Sequence, residues 1–209
     1  MNKSIKEDFT MNLTKLQENL ECNGFTYRYF ATGREAADYI DQTVDGKTVG
    51  FGGSMTLKAL DLPERLSQHN TVYSHWLEPG AETLDKAATA EVYLSSVNGL
   101  AETGEIINID GAGNRVSATL FRKERVIYVV GVNKIAEDYD KALWRARNIA
   151  SPLNARRLGK KTPCALKEEL KCYDCKSPER ICRGLTVLWR KMTTVETCEV
   201  IVVGEELGY

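Results

Sequence analysis

Four of the chain's six cysteines, Cys164, Cys172, Cys175 and Cys182, fall in the stretch TPCALKEELKCYDCKSPERIC, with seven, two and six residues between them. Thiols this close form disulfides, bind a metal, or are buried independently. The central Cys-x₂-Cys lets two thiolates of one tight loop reach one metal centre, and the flanking cysteines complete a four-thiolate set. Tyr173, Asp174, Lys176, Ser177 and Pro178 are the loop-forming residues such a chelate needs. Lys171, Lys176, Arg180 and Arg183 offset the charge of four thiolates. All-thiolate coordination suits zinc or an iron-sulfur cluster, and spacing alone does not separate them. Cys22 and Cys198 lie apart and read as buried apolar residues.

A second candidate is VGFGGSMTL, in which a strand runs through Gly50, Gly52 and Gly53 into a helix starting near Ser54. Backbone amides at such a junction hold anions. Met55 replaces the third glycine of a dinucleotide fingerprint and no Gly-Lys-Ser/Thr follows, so the two common phosphate loops are excluded. A tight turn capped by Ser54 accounts for the same residues. DGAGN also fails the fingerprint, with Val116 where the third glycine belongs, and reads as a hairpin turn. In SVNGLAETGEI a strand end delivers Asn98, Glu102 and Thr103. There Glu102 is placed for general-base work or for an ordinary solvated loop, and Asn98 for a ligand or a turn. Arg145, Arg147, Arg156 and Arg157 crowd one helix end, where they compensate its dipole or receive a carboxylate or phosphate. His69 and His75 are the only histidines and are not spaced with a cysteine, which leaves a Ser-His-Asp apparatus or a histidine-rich metal site little to build on.

The elements that carry these residues alternate. Phe9, Leu13, Leu16 and Leu20 form a helix stripe that Asn23 and Gly24 end. FTYRYFA, KTVGFGG, NTVYSHW, EVYLSSV, EIINI and RVIYVVGV are strands, with helices at REAADYIDQTV, Ser54 to Leu60, GAETLDKAATA and RVSATLF. A long stripe of Ile135, Tyr139, Ala142, Ala146 and Ile149 marks a helix expected to end near Pro152, and LTVLWRKM and CEVIVVG are expected to close the sheet. Alternation of this kind specifies an α/β fold with a single mostly parallel sheet and helices on both faces.

With 209 residues, 43% hydrophobic, and a net charge of −1, the chain has the composition of a soluble globular protein and no basic excess for nucleic acid. No stretch reaches the roughly 18 apolar residues of a membrane span, and the first twenty residues carry no apolar run of a secretory signal. A cytoplasmic location is expected, where thiols stay reduced and a disulfide staple is disfavoured.

Taken together, VGFGGSMTL, NGLAETGEIINIDGAGNR, VVGVNKI, ALWRARNIASPLNARRL and TPC…CYDCKSPERICR resemble the LUD domain family, the lactate-utilisation-protein domain, in its short bacterial branch that ends in a cysteine-rich segment. The resemblance covers residues 9 to 206. It implies one domain over 1–209 with a metal-binding segment at 162–183, and a fold similar to ribose-phosphate isomerase, glucosamine-phosphate deaminase and the CoA-transferases. A ligand pocket would then be lined by Gly52, Gly53, Ser54, Asn98, Glu102, Thr103, Gly104 and Lys134. Val97 stands where a glutamate-nucleophile CoA-transferase presents its glutamate, so covalent CoA transfer is not expected. The family's association with lactate oxidation beside iron-sulfur subunits favours a [4Fe-4S] cluster on the four cysteines over zinc. Expected partners are a small anionic metabolite and redox subunits, with a homodimer as a further possibility. The competing readings are a stand-alone isomerase-like or hydrolase-like enzyme using Glu102 with a structural metal, and a zinc-bearing regulatory module.

Overall fold

The computed structural model describes residues 11–209; Phe9, the first member of the N-terminal stripe, lies outside them. Helix α1 (Leu13–Cys22) is capped by Asn12, whose side chain accepts the Lys15 N–H, and buries Leu16 and Leu20. Next come β1 (Thr26–Phe30) and α2 (Gly33–Thr43), the latter opened by a reciprocal Thr32/Glu35 capping box. Strand β2 (Thr48–Phe51) leads through Gly52 and Gly53 to α3 (Met55–Ala59), α4 (Leu62–Leu66) and β3 (Thr71–Tyr73). Helix α5 (Ala81–Thr89) precedes β4 (Val92–Ser95), β5 (Gly99–Ala101) and β6 (Ile106–Asp110). Helix α6 (Asn114–Ala118) connects to β7 (Lys123–Gly131), then a 3₁₀ turn at Val132–Lys134 and β8 (Ile135–Ala136).

Six strands form one sheet in the order β1, β10, β7, β4, β2, β3, every pair parallel, where β10 is Val195–Val203. The expected mostly parallel sheet with helices on both faces is thus the main body of the fold. Strand parity sorts its core. Ile127, Val129, Ile201 and Val203 face one side with Ile40 of α2 and Leu57 of α3. Val126, Tyr128, Val130, Val200 and Val202 face the other with Leu16 and Leu20 of α1. On that second side, α5 passes so close to β2 that a Cβ on Gly50 would lie 2.3 Å from the Ala87 carbonyl oxygen. Only glycine fits there.

Three features depart from the sequence reading. LTVLWRKM does not close the main sheet: β9 (Gly184–Leu188) pairs antiparallel with β6 in a separate four-stranded sheet ordered β8, β5, β6, β9. Period-2 alternation shows a strand but not its partner. DGAGN is not a hairpin turn but a strand-to-helix junction: Asp110 Oδ1 accepts the N–H groups of Gly111, Ala112 and Gly113, and α6 follows directly. The long helix does not stop at Pro152. Helix α7 (Tyr139–Arg145) passes through a π-turn at Ala146–Ala150 into α8 (Ser151–Arg157). The Ser151 N–H reaches five residues back to Ala146 O. That widening gives the proline ring the room it lacks against the carbonyl four residues before it in an α-helix. The last helix, α9, is Pro163–Leu166.

Candidate functional site

Parallel strands end at one edge, and that edge is where the site assembles. From β2 come Gly52 and Gly53, from β4 Ser96 and Asn98, from β7 the 3₁₀ turn with Lys134, and from β10 the closing residues Leu207 to Tyr209. Against this edge lie the Asp110–Gly113 turn, the π-turn with α8, and the cysteine segment. Together they enclose a cavity of about 740 Å³ lined by Gly53, His75, Asn98, Arg115, Asn154 and Arg157 on the sheet side, and by Pro178 to Ile181 and Arg183 on the cysteine side. A smaller recess of about 80 Å³ opens off it, lined by Gly53, Ser54, Ser96, Asn98, Arg115, Lys134, Arg157 and Tyr209.

Within this edge Arg115 is the structural hub. Its guanidinium donates to Asn108 Oδ1 (2.5 Å), Ile109 O (2.7 Å), Asn98 Oδ1 (3.3 Å) and Ser96 O (3.3 Å), and its Nε lies 3.7 Å from Asp110 Oδ2. Its aliphatic stem lies over Gly52, where a Cβ would come within 2.6 Å of Arg115 Cγ. The glycine loop is therefore shaped for Arg115. Ser54 does cap α3, accepting the Leu57 N–H at 3.3 Å. Asn98 is fixed by the Ile109 N–H on its Oδ1 (2.7 Å), while its carbonyl accepts from buried Arg145 (2.7 Å).

Lys134 is 4% exposed. Its Nζ donates to Thr56 Oγ1 (2.8 Å) and Ser96 Oγ (2.9 Å), and no carboxylate pairs with it among the described residues. Burial, and secondarily the charges of Arg145 and Arg115, lower its pKa to about 7. Burial and then Arg157 lower the pKa of His75, whose Nδ1 is buried with no partner among the described residues. The Gly53 position admits the His75 ring, with Cε1 3.1 Å from where a Cβ would stand.

Glu102, Thr103 and Gly104 go elsewhere. Glu102 is buried beneath α1, accepting the Asn12 N–H (2.5 Å) and pairing with Lys15 (3.4 Å), while its carbonyl takes Asn19 Nδ2 (2.7 Å). Thr103 and Gly104 form the tip of the β5–β6 hairpin, Gly104 at φ +100° against Asn19 and Asn23. None of the three lines either cavity. The structure thus brings together Gly53, Ser54, Asn98 and Lys134, places Gly52 directly behind them under Arg115, and separates the Glu102 loop. Arg115, His75 and Asn154 went unassigned in the sequence. Arg115 alone had a signal, an arginine directly after a glycine-rich strand end.

Cys164, Cys172, Cys175 and Cys182 line one small cavity, with Arg147, Ser151 and Arg180. The helical rod positions two of them: Arg156 Nε donates to Cys164 O (3.2 Å), and Asn148 Oδ1 accepts the Cys172 N–H (3.0 Å). Arg180 braces the other two through Cys175 O and Cys182 O, both at 2.8 Å. Arg147 Nη2 lies 3.8 Å from Cys172 Sγ and 3.4 Å from Asp174 Oδ1. All four are free thiols. Among the described residues no group of three or more His, Cys, Asp or Glu side chains converges as a single ion requires. The four thiols thus border a shared space, with three of their main-chain carbonyls held by arginines and the Cys172 N–H by Asn148. Cys22 is exposed, not buried as its apolar reading required, because it sits on the solvent side of α1's last turn; Cys198 is buried in β10. No described helix is long and apolar enough to cross a membrane.

The model of the LUD domain family matches residues 13–203. A crystal structure of a DUF162 family protein from Deinococcus radiodurans superposes with a TM-score of 0.53 at 16% identity, covering 91% of this chain and 95% of that one, a likeness of fold. No curated protein matches the chain.

Proposed function

Since the chain belongs to the LUD domain family, we propose that it is a cytoplasmic redox accessory protein of lactate or related organic-acid metabolism, with an anion pocket at the sheet edge and a [4Fe-4S] cluster on Cys164, Cys172, Cys175 and Cys182. One observation carries the reading: the loop that holds the cysteines is also a wall of the ligand cavity. Ser151, Arg180 and Ile181 border both spaces. A bound cluster would supply one-electron transfer there, within a few residues of the ligand. The cavity's charge supports an anionic ligand, since Arg157, Lys160, Arg180 and Arg183 line it, and of its carboxylates Asp110 is already taken up by turn amides and Arg115. Exposed Trp144 and Leu185 sit beside Cys172 in the adjoining surface recesses, where a redox partner subunit would approach. The stand-alone enzyme built on Glu102 has no such support, because Glu102 is employed in docking α1.

Anaerobic purification followed by a UV-visible spectrum and metal analysis tests the cluster. The expected result is a broad violet-blue absorption with about four irons and four sulfides per chain, lost in Cys172→Ser. Colourless protein with one equivalent of zinc would overturn it.

A further inference from the structure

Lys134 is a buried amine with a defined hydrogen-bond environment. Ser96 Oγ donates its hydrogen to Val129 O (2.7 Å), and Thr56 Oγ1 donates to Leu207 O (3.2 Å). Both hydroxyls can then only accept from Lys134 Nζ. A neutral amine has two N–H groups, and this arrangement satisfies both, leaving its lone pair free. An ammonium would have a third N–H with no acceptor among the described residues. The same recess holds a cation, Arg157, that lies over the Trp76 ring and has no carboxylate partner among the described residues. Arg157 gives Nε and Nη2 to Asn154 Oδ1 (3.0 and 2.8 Å), and its Nη1 has no acceptor among the described residues. Arg115 differs, having its donors committed to the fold.

We propose that Lys134 is a nucleophilic amine that joins a short 2-oxo acid as an imine, with the acid's carboxylate received by Arg157. The about 80 Å³ of the recess limits the acid to a few carbons. The Nζ lone pair attacks the C2 carbonyl carbon, and the carbonyl π pair moves to oxygen, which takes a proton to give a carbinolamine. Loss of water then leaves the C2=N bond. Both amine hydrogens depart with the carbonyl oxygen as that water, so no oxidant or reductant is consumed, and hydrolysis reverses the step. The lowered lysine pKa is the property such an amine needs at neutral pH.

This inference rests on the reading of the cavity as an anion site but not on the cluster. Full-length protein is incubated at neutral pH with pyruvate and sodium cyanoborohydride, and the intact mass and peptide map are read. The expected outcome is one reduced pyruvate adduct, located at Lys134 and missing from Lys134→Met and Lys134→Arg. Arg157→Gln should raise the pyruvate concentration for half-labelling by about tenfold or more, the loss expected for a charged hydrogen bond. If Lys134→Met melts early, the Arg157→Gln shift and the peptide map of the unaltered protein still decide the matter. No adduct, or equal labelling of exposed lysines without a preference for Lys134, overturns the proposal. An adduct on colourless, iron-free protein would sink the cluster reading alone; a brown protein without an adduct would sink this inference alone.

Discussion

Two hydroxyls committed to main-chain carbonyls make Lys134 a group whose charge the fold resists, and this has a measurable consequence. An unfolded lysine titrates near 10.5, whereas burial brings folded Lys134 to about 7. Between those values the unfolded chain holds a proton that the folded chain has released, so stability rises with pH by up to about 1.4 kcal/mol per unit. The charges of Arg145 and Arg115 act on the amine in the same direction as burial. Burial pushes the Cys198 thiol up to about 12, which acts in the opposite sense above its ordinary value of 9. Both effects separate in a comparison of unfolding free energies: the difference between the parent and Lys134→Met should shift in the parent's favour from about pH 7 to pH 9. A constant difference would show that Lys134 keeps its proton. Glu102 is a contrasting residue. Its carboxylate ties α1 to the β5–β6 hairpin, so Glu102→Ala should cost about 1–2 kcal/mol in denaturant unfolding and leave the Lys134 adduct unchanged. Loss of the adduct in a stably folded Glu102→Ala would return Glu102 to the site.

At the scale of elements, the rod from Tyr139 to Arg157 is what sets the two spaces side by side. Its π-turn inserts one extra residue between Arg147, which faces the thiols, and Asn154 with Arg157, which face the ligand recess. Deleting Ile149 should restore α-helical winding and rotate α8 against α7 by about 100°, one residue's turn. Helicity by circular dichroism should hold, stability should fall by about 1–3 kcal/mol, and both iron content and the pyruvate adduct should drop. Retention of both would mean that α8's orientation is set by its neighbours and not by the π-turn. The turn itself answers to Pro152: the same ring that argued for a helix end is accommodated by widening the turn before it.

Across the whole molecule, the two sheets divide the labour. The parallel sheet aligns the ends of β2, β4, β7 and β10 at one edge, and the smaller sheet covers the α1 face with Leu100, Ile106 and Leu188. Its β9 follows immediately on the cysteine segment, and Arg183 N donates to Asp110 O (2.9 Å) as pairing begins. The second sheet thereby anchors the cysteine segment against the turn that holds Arg115. Had LTVLWRKM joined the main sheet, the thiols would have been carried away from the ligand edge.

The sequence by itself determined the α/β class, the strands and most helices, because periods of 2 and 3.6 are local properties of the chain. It also marked the four cysteines and the glycine loop, since short spacing confines the thiols to one loop and glycine is demanded locally by close approach. Helix ends at proline were less legible, because a π-turn and a stop share one sequence signal. Only the tertiary structure decided which strand ends meet. Glu102 and Lys134 both follow strand ends, yet β5 turns back as a hairpin beneath α1 and β7 delivers its end to the parallel edge. Arg115 became the hub for the same reason: its partners Ser96 and Asn98 follow β4 while Asp110 ends β6, and strand order is fixed by packing energies that no local pattern encodes.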